Sequence, residues 1–127
     1  MLFETGRSYE ALEIGEKASV TNTISESDVY MFAGITGDFN PAHVNEVYAS
    51  GTFFKTRIAH GMLPAGLISA VLAMQLPGPG TIYMKQELAF TAPVRIGDTI
   101  TAVVEVGDID AAKNRVVLTT RCFNQDD

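Results

Sequence analysis

Alternating apolar and polar positions predict strands at both ends of the chain. In residues 16–24, Ala18 and Val20 alternate with polar or β-branched residues, a pattern that suits a pleated surface. Patterns of the same kind predict three more strands, at residues 81–91, 99–106 and 114–123. Turn-forming residues at 97–98 and 108–113 separate these segments. The C-terminal part therefore indicates a meander of antiparallel strands.

The segment after the first strand has the pattern of a helix followed by irregular structure. Ser25 is a typical N-cap residue, and acidic residues follow it before apolar residues recur at helical spacing. Gly34 or Gly37 is expected to end this helix. Residues 37–61 then lack a regular period, although Asn45 is placed to cap a short helix. This segment is therefore expected to be loop-rich and well supplied with polar groups.

Residues 62–76 predict a long buried helix. Only Ser69 and Gln75 are clearly polar in this run, so it is apolar on nearly every face. A membrane span needs about 20 apolar residues, whereas this run is shorter and contains Pro64, which fits the first turn of a helix. The order of elements predicts an α+β fold in which antiparallel strands wrap around one central helix. No linker or repeat interrupts the sequence, so residues 1–127 are expected to form a single domain.

The composition narrows the classes of partner and the cellular compartment. The 127 residues include 9 Lys and Arg against 15 Asp and Glu, a formal net charge of −6. This balance gives no broad basic surface for nucleic acid or an anionic membrane, so an anionic ligand must be bound locally. The single cysteine, Cys122, excludes an internal disulfide and a cysteine-rich metal site. Residues 1–7 lack the basic start and apolar run of a signal peptide, so we expect a cytoplasmic protein.

Both histidines of the chain lie in the irregular middle segment, close to an aspartate. Asp38 and His43 flank Asn40 and Pro41, and the proline disfavours an uninterrupted helix between them. A turn can then bring the carboxylate and the imidazole together around one water. Such a pair works near neutral pH, because histidine has an ordinary pKa of about 6.5. With His60 the same residues offer metal-ligand types, but their spacing matches no metal-binding motif, so no metal is expected.

Gly61 directly precedes the apolar helix, which predicts a backbone site for negative charge. Its N–H is expected among the unpaired donors at the amino end of that helix. Such a donor, aided by the helix dipole, can stabilise charge that develops on a carbonyl oxygen. Covalent catalysis is not indicated, because Cys122 has no histidine near it in sequence and Ser69 lacks the Gly-x-Ser-x-Gly motif.

Three motifs carry a resemblance to a known family: AGITGDFNPAH at residues 33–43, RIAHGML at residues 57–63 and PVRIGD at residues 93–98. With them the sequence resembles the MaoC-like family, specifically the small R-specific enoyl-CoA hydratases. The first motif is the most specific, since it holds an Asp, an Asn-Pro and a His in the family's order. The resemblance covers nearly the whole chain. It implies a hot-dog fold, in which an antiparallel sheet curls around a long central helix, and a homodimer or higher homo-oligomer.

The resemblance also implies roles for individual residues. Asp38 and His43 would be the catalytic pair that adds water to a trans-2-enoyl-CoA and forms an (R)-3-hydroxyacyl-CoA. Asn40 would support their loop, the Gly61 N–H would meet the thioester oxygen, and Ser69 would line the acyl pocket. No cofactor is implied, because coenzyme A is part of the substrate. Cationic residues that could pair with its phosphates are Lys55, Arg57, Lys85 and Arg95.

Three other functions of the same fold stay open at this point. An acyl-CoA thioesterase would bind the same ligand and hydrolyse the thioester. A dehydratase of acyl-carrier-protein substrates would differ mainly in its carrier. A module that binds acyl-CoA or dimerises, without turnover, would keep the fold and lose the chemistry.

Two further expectations concern the end of the sheet and the depth of the pocket. Similar proteins continue with another strand after the position of Phe123, whereas residues 124–127 have the composition of a turn. An unpaired sheet edge is therefore expected there. Residues of the apolar helix that could shape an acyl pocket are Ala65, Gly66, Ser69 and Met74.

Overall fold

A computed structural model describes residues 6–127 of the chain. In these residues, three antiparallel strands form one sheet. Its strands are β1 (Lys17–Thr23), β2 (Thr99–Asp110) and β3 (Arg115–Phe123), and β2 lies in the middle. Val20 pairs with Ala102, which pairs on its other side with Cys122. These strands confirm three of the four segments predicted from alternation. β2 is longer than expected and contains an irregularity between Val106 and Asp108.

Four α-helices lie in the connection between β1 and β2. They are α1 (Glu26–Thr36), α2 (Pro41–Val44), α3 (Glu46–Ser50) and α4 (Met62–Met74). The predicted N-cap of α1 is confirmed, because the Ser25 hydroxyl accepts the Asp28 N–H at 3.1 Å and the Asp28 carboxylate accepts the Ser25 N–H at 2.9 Å. Gly37 ends this helix with a φ of 81°, a left-handed conformation that glycine adopts at low cost. Gly34, the other candidate, lies inside the helix.

The core lies between one face of α4 and the inner face of the sheet. Alternate residues of β2 are buried there, and they pack with Ile68, Val71 and Leu72 of α4. The other side of α4 is not buried as the sequence suggested, since Met62 and Met74 are 55% and 73% exposed. The prediction of a central helix is therefore correct, but only one face of this helix lies in the core.

A second, smaller core holds the loop segment that precedes α4. Ile24, Val29, Ala59 and Ile100 are buried together, which links the end of β1, the first turns of α1 and the start of β2. The Ala59 N–H also donates to the Val94 carbonyl at 2.7 Å. These contacts fix the backbone just before His60 and Gly61.

The strand predicted at residues 81–91 is the clear error of the sequence analysis. This segment forms no ladder with the sheet in the described part of the chain. Its alternation is that of a strand, but a strand also needs a neighbour to pair its N–H and C=O groups. Without such a neighbour its apolar side chains stay exposed, among them Ile82, Met84 and Phe90.

The predicted α+β fold, with antiparallel strands packed on one central helix, is confirmed by this arrangement. Within residues 6–127, no helix has the length and apolar character that a membrane crossing requires. The expectation that the chain lacks a signal peptide rests mainly on residues 1–5, which lie outside the described residues.

Candidate active site

A tight loop and a one-turn helix bring Asp38 and His43 together. The Asn40 side-chain oxygen accepts the Ala42 N–H at 3.0 Å and so caps α2, which begins at Pro41. The Asn40 N–H donates to the Asp38 Oδ1 at 3.2 Å, which ties the carboxylate to the same turn. The hydrogen bonds of Asn40 thus connect the Asp38 carboxylate to the start of α2.

A backbone carbonyl fixes one ring nitrogen of His43. The Nδ1 atom lies 2.7 Å from the carbonyl oxygen of Ile58. A carbonyl can only accept a hydrogen bond, so Nδ1 carries the hydrogen and Nε2 keeps its lone pair. Nε2 is therefore the nitrogen that can take a proton from a bound water.

Asp38, His43 and His60 form one cluster. One polar side-chain atom of each residue lies within 4.8 Å of those of the other two. The convergence of Asp38 with His43 was predicted from the turn at Pro41, whereas the contact of His60 with both was not. The His60 ring stacks on that of His43, with the ring centroids 3.9 Å apart.

The cluster offers residue types that bind transition metals, and one nitrogen of each imidazole is not engaged by a backbone group of the described residues: His43 Nε2 and His60 Nδ1. The carboxylate and imidazole of Asp38 and His43 are also the pair that acid–base chemistry on one water requires.

The cluster opens into a cavity of about 640 Å³ beside the exposed face of α4. A cavity of this size is in the usual range for a small-molecule site. Its wall combines an apolar and aromatic surface with the cluster of Asp38, His43 and His60 and with four other polar side chains. Its lining residues are Phe32, Thr36, Asp38, His43, His60, Gly61, Met62, Ala65, Gly66, Ser69, Tyr83, Gln86 and Leu88.

Gly61 places a backbone donor at the wall of the same cavity. It lies at the N-cap of α4, and its N–H donates no hydrogen bond to another group in residues 6–127. The ring of Phe90 packs closely over it, since a Cβ atom at residue 61 would lie 2.8 Å from Phe90 Cε1. The predicted unpaired donor therefore lies beside the acid–base cluster, at a position where only a glycine leaves the ring undisturbed.

The structure brings some of the predicted site residues into the cavity and leaves others outside. Ser69 lines the wall, as do Ala65 and Gly66, whereas Met74 is exposed and is not part of the lining. Lys55 is exposed outside the cavity lining. Burial raises the pKa of the Cys122 thiol, which disfavours a nucleophilic thiolate.

The Arg57 guanidinium contacts side chains of the protein itself, although the sequence made it a candidate to bind the phosphates of coenzyme A. Its Nη1 atom donates to Glu26 Oε1 at 2.6 Å and to the Tyr30 hydroxyl at 2.7 Å, and its Nε atom lies 3.6 Å from Glu46 Oε1. The hydrogen bond from Arg57 lowers the pKa of the Glu26 carboxyl. The guanidinium thus joins α1 and α3 to the segment that presents the Ile58 carbonyl.

The far wall of the cavity consists of residues that were not predicted as site residues. Tyr83, Gln86 and Leu88 come from the segment that was predicted as a strand, and Phe32 and Thr36 come from α1. Burial raises the pKa of Tyr83, and its hydroxyl donates to the Gln86 side-chain oxygen. Alternation alone could not have identified all three residues of this segment, because Tyr83 and Gln86 are three residues apart and would face opposite sides of a regular strand.

The fold and the site define a class: an α+β protein whose cavity combines a carboxylate–imidazole pair with an unpaired backbone donor, suited to acid–base chemistry on a carbonyl compound. Residues 10–124 match the family described as MaoC like domain, and the chain belongs to this family. The resemblance read from the sequence motifs is thereby confirmed.

Similar proteins support the same assignment. The chain is 60% identical to the (R)-specific enoyl-CoA hydratase of Rhodospirillum rubrum, over 90% of this chain and 79% of that protein. It is 51% identical to the 3-hydroxybutyryl-CoA dehydratase of Methylorubrum extorquens, over 90% of this chain and 73% of that protein. The structure of unliganded R-hydratase PhaJ1 from Pseudomonas aeruginosa superposes with a TM-score of 0.90 at 50% identity, covering 95% of this chain and 77% of the other. The hot-dog fold is confirmed by this superposition.

Proposed function

We propose that this protein is a hydro-lyase that adds water to a trans-2-enoyl-CoA and forms an (R)-3-hydroxyacyl-CoA. The observation that carries the proposal is the cluster in which polar atoms of Asp38 and His43 lie within 4.8 Å of each other at the cavity wall. Relatives named as an (R)-specific enoyl-CoA hydratase and a 3-hydroxybutyryl-CoA dehydratase, at 60% and 51% identity, support the same reaction and its reverse.

The pair activates one water molecule. Asp38 and His43 hold the water, and one of them takes a proton while the water oxygen bonds to Cβ of the enoyl group. His43 is prepared for this step because its Nδ1 is bound to Ile58 O, which leaves Nε2 free. The same cluster returns a proton to Cα, so the reaction is balanced by one water alone. Addition at one face of the double bond gives the R product.

Gly61 stabilises the charge that develops during this addition. As oxygen attacks Cβ, negative charge moves to the thioester oxygen. The unpaired Gly61 N–H is a donor for that oxygen, and it binds an enolate-like state more strongly than the neutral carbonyl. The difference between the two binding energies is what lowers the barrier.

The acyl chain extends along α4 and the coenzyme A portion is bound by local cations. Ser69 contacts the acyl chain in this proposal, because it lines the cavity. Lys55 and Arg95 are the better candidates for phosphates, since the Arg95 guanidinium lies 3.5 Å from the carbonyl of Phe54, the residue before Lys55. Arg57 is a weaker candidate because Glu26 already neutralises it.

We further propose that two copies of the chain assemble as a homodimer. Exposed apolar side chains on residues 81–91 support this, because a large apolar surface on a soluble protein usually marks an interface. The measurement is the sedimentation of the purified protein. A monomer at micromolar concentration would contradict the homodimer and would leave the assignment of Asp38 and His43 untouched.

The test of the reaction is the loss of enone absorbance when the protein is mixed with crotonyl-CoA. The parent should hydrate the substrate, while Asp38→Asn and His43→Gln should lose at least a hundredfold in kcat. Full activity in either folded variant would contradict the roles assigned. Release of free coenzyme A thiol would identify a thioesterase, and turnover only of carrier-protein substrates would identify the acyl-carrier-protein dehydratase. Binding of crotonyl-CoA with no change in absorbance would identify a non-catalytic module.

A further inference from the structure

His60 is a buried polar residue with no assigned role in the reaction. Its side chain is 2% exposed, and the other buried residues of the two cores are apolar. It contacts three parts of the site: the backbone of Asp38, the ring of His43 and the ring of Phe32. A polar residue kept in such a place at a cost in desolvation calls for an explanation.

The contacts determine the protonation of the His60 ring. Its Nε2 atom lies 2.9 Å from the carbonyl oxygen of Asp38, so Nε2 carries the hydrogen and donates it. Its Nδ1 atom is buried and has no hydrogen-bond partner among residues 6–127. The described contacts of the His60 ring are therefore one hydrogen bond through Nε2 and the packing of its faces.

The stacking contact completes the fixation of His43. The hydrogen bond from Nδ1 to Ile58 O fixes one corner of the His43 ring but leaves the ring free to swing about that bond. The His60 ring packs against the His43 ring, with the two centroids 3.9 Å apart and the two planes at 30°, and this contact prevents the rotation. Phe32 lies 4.7 Å from His60 by the same measure and supports it from α1.

We propose that His60 is a positioning residue, which holds the Asp38 backbone through Nε2–H and the His43 ring through its face, so that both groups address one water. The proposal rests on the proposed function for its effect on the rate, whereas the geometry of His43 can be measured without substrate. A ring that also carries a donor is required, because phenylalanine would keep the stack alone and glutamine would keep the donor alone.

Two variants separate the two contacts. His60→Phe keeps a ring against His43 and loses the donor to Asp38, and His60→Gln keeps a donor in the place of Nε2 and loses the ring. We expect each to lower kcat for crotonyl-CoA about tenfold, and His60→Ala about a hundredfold, because small displacements of reacting groups are costly. The KM should stay within about twofold, since His60 acts through the catalytic pair and not through binding.

A matched control removes a buried contact elsewhere. Val71 is fully buried in the core between α4 and the sheet and does not line the cavity. Val71→Ala should lower the melting temperature and leave the kcat of the folded protein at the parental value. Nitrogen chemical shifts of the His43 ring give the second measurement. They should report a hydrogen fixed on Nδ1 in the parent and a mixture of tautomers in His60→Gln.

The outcomes separate the two proposals. Parental kcat in folded His60→Phe and His60→Gln, or losses that merely follow the unfolded fraction as in Val71→Ala, would overturn the positioning role. If the parent itself does not hydrate crotonyl-CoA, the proposed function fails. The nitrogen shifts then still decide on His60, because an unchanged His43 tautomer in His60→Gln overturns the positioning role without any turnover.

Discussion

His43 donates from Nδ1 to the backbone carbonyl of Ile58, at 2.7 Å, and this bond determines which nitrogen can act as a base. Ile58 belongs to the segment that leads into α4. Its own N–H donates to the Ala42 carbonyl at 3.2 Å, which fixes the position of this residue. The two hydrogen bonds tie α2 and this segment to each other. The base and the helix that carries it are thus fixed by the same stretch of backbone.

His43→Asn should separate the structural and the chemical part of this relationship. The asparagine amide can still donate to Ile58 O, so the melting temperature should stay within a few degrees of the parent. No group then replaces Nε2, and kcat for crotonyl-CoA should fall by about 10²–10⁴. His43→Ala is the comparison, and it should be less stable because it leaves the partly buried carbonyl of Ile58 without this donor. A variant His43→Asn with parental kcat would exclude Nε2 as a base.

Asn40→Ala should lower both stability and activity, because Asn40 caps the helix that carries His43. Loss of an N-cap costs about 1 kcal/mol. Asn45→Ala is a matched control, since the Asn45 side chain accepts the Tyr48 N–H at 3.0 Å and caps α3, which bears no residue of the cavity wall. Both variants should melt a few degrees lower, and only Asn40→Ala should lose kcat. Equal activity losses in the two variants would contradict the role of the α2 cap.

The local parts of this site were predictable from the sequence, and the parts that depend on packing were not. Pro41 disfavours an uninterrupted helix from Asp38 to His43, so a turn that can bring the two side chains together was expected from backbone chemistry. Arg57 could not be placed, because Glu26 and Glu46 approach it only after α1 and α3 have packed. The sequence shows where a charged residue stands, but it does not show which distant residue will pair with it after folding.

The fold was predictable to a similar degree. Periodicity identified β1, β2, β3 and the central helix, since each pattern reports the face that an element buries. It could not show that residues 81–91 lack a neighbour, because alternation records the side chains and pairing concerns the backbone. Nor could it show that the second apolar face of α4 borders a cavity and not a core. In both cases the sequence indicates an apolar surface but not whether another part of the protein packs against it.

Gly61→Pro and Gly61→Ala should differ in kcat, because only the proline variant lacks the backbone N–H at residue 61. Gly61 has a φ of −56°, which proline can adopt, and its N–H makes no bond within the described chain. Both variants add a Cβ that meets the Phe90 ring, which is 64% exposed and can move aside. Gly61→Pro also removes the N–H, so its kcat should lie about 10²–10³ below that of Gly61→Ala. Similar kcat values in two folded variants would exclude the Gly61 N–H as the oxyanion donor.

The ion pair between Arg57 and Glu26 should make stability depend on pH in the acid range. The Arg57 guanidinium lowers the pKa of the Glu26 carboxyl in the folded chain, so the pair stabilises the fold above the unfolded pKa of about 4.3. This contribution is lost as the pH falls through the lower folded value. Urea midpoints should therefore favour the parent over Glu26→Gln at pH 6, and the gap should narrow as the pH falls below the unfolded pKa. In an Arg57→Gln background, the added Glu26→Gln change should show a weaker pH dependence, because only the hydrogen bond from the Tyr30 hydroxyl then lowers the pKa of Glu26.

Gly66→Leu should shorten the acyl chain that the cavity accepts. Gly66 lies on the exposed face of α4 at the cavity wall, and a Cβ atom there would meet nothing within 4 Å. The leucine would therefore extend into the space assigned to the acyl chain, and kcat/KM for a trans-2-octenoyl-CoA should fall about tenfold relative to crotonyl-CoA. Replacing a helical glycine also stabilises the helix by roughly 0.5–1 kcal/mol. Gly34→Leu controls for this gain, because Gly34 lies inside α1, has the same free space and does not line the cavity. It should raise the melting temperature without changing the preference between the two substrates, and an unchanged preference in Gly66→Leu would place the acyl chain elsewhere.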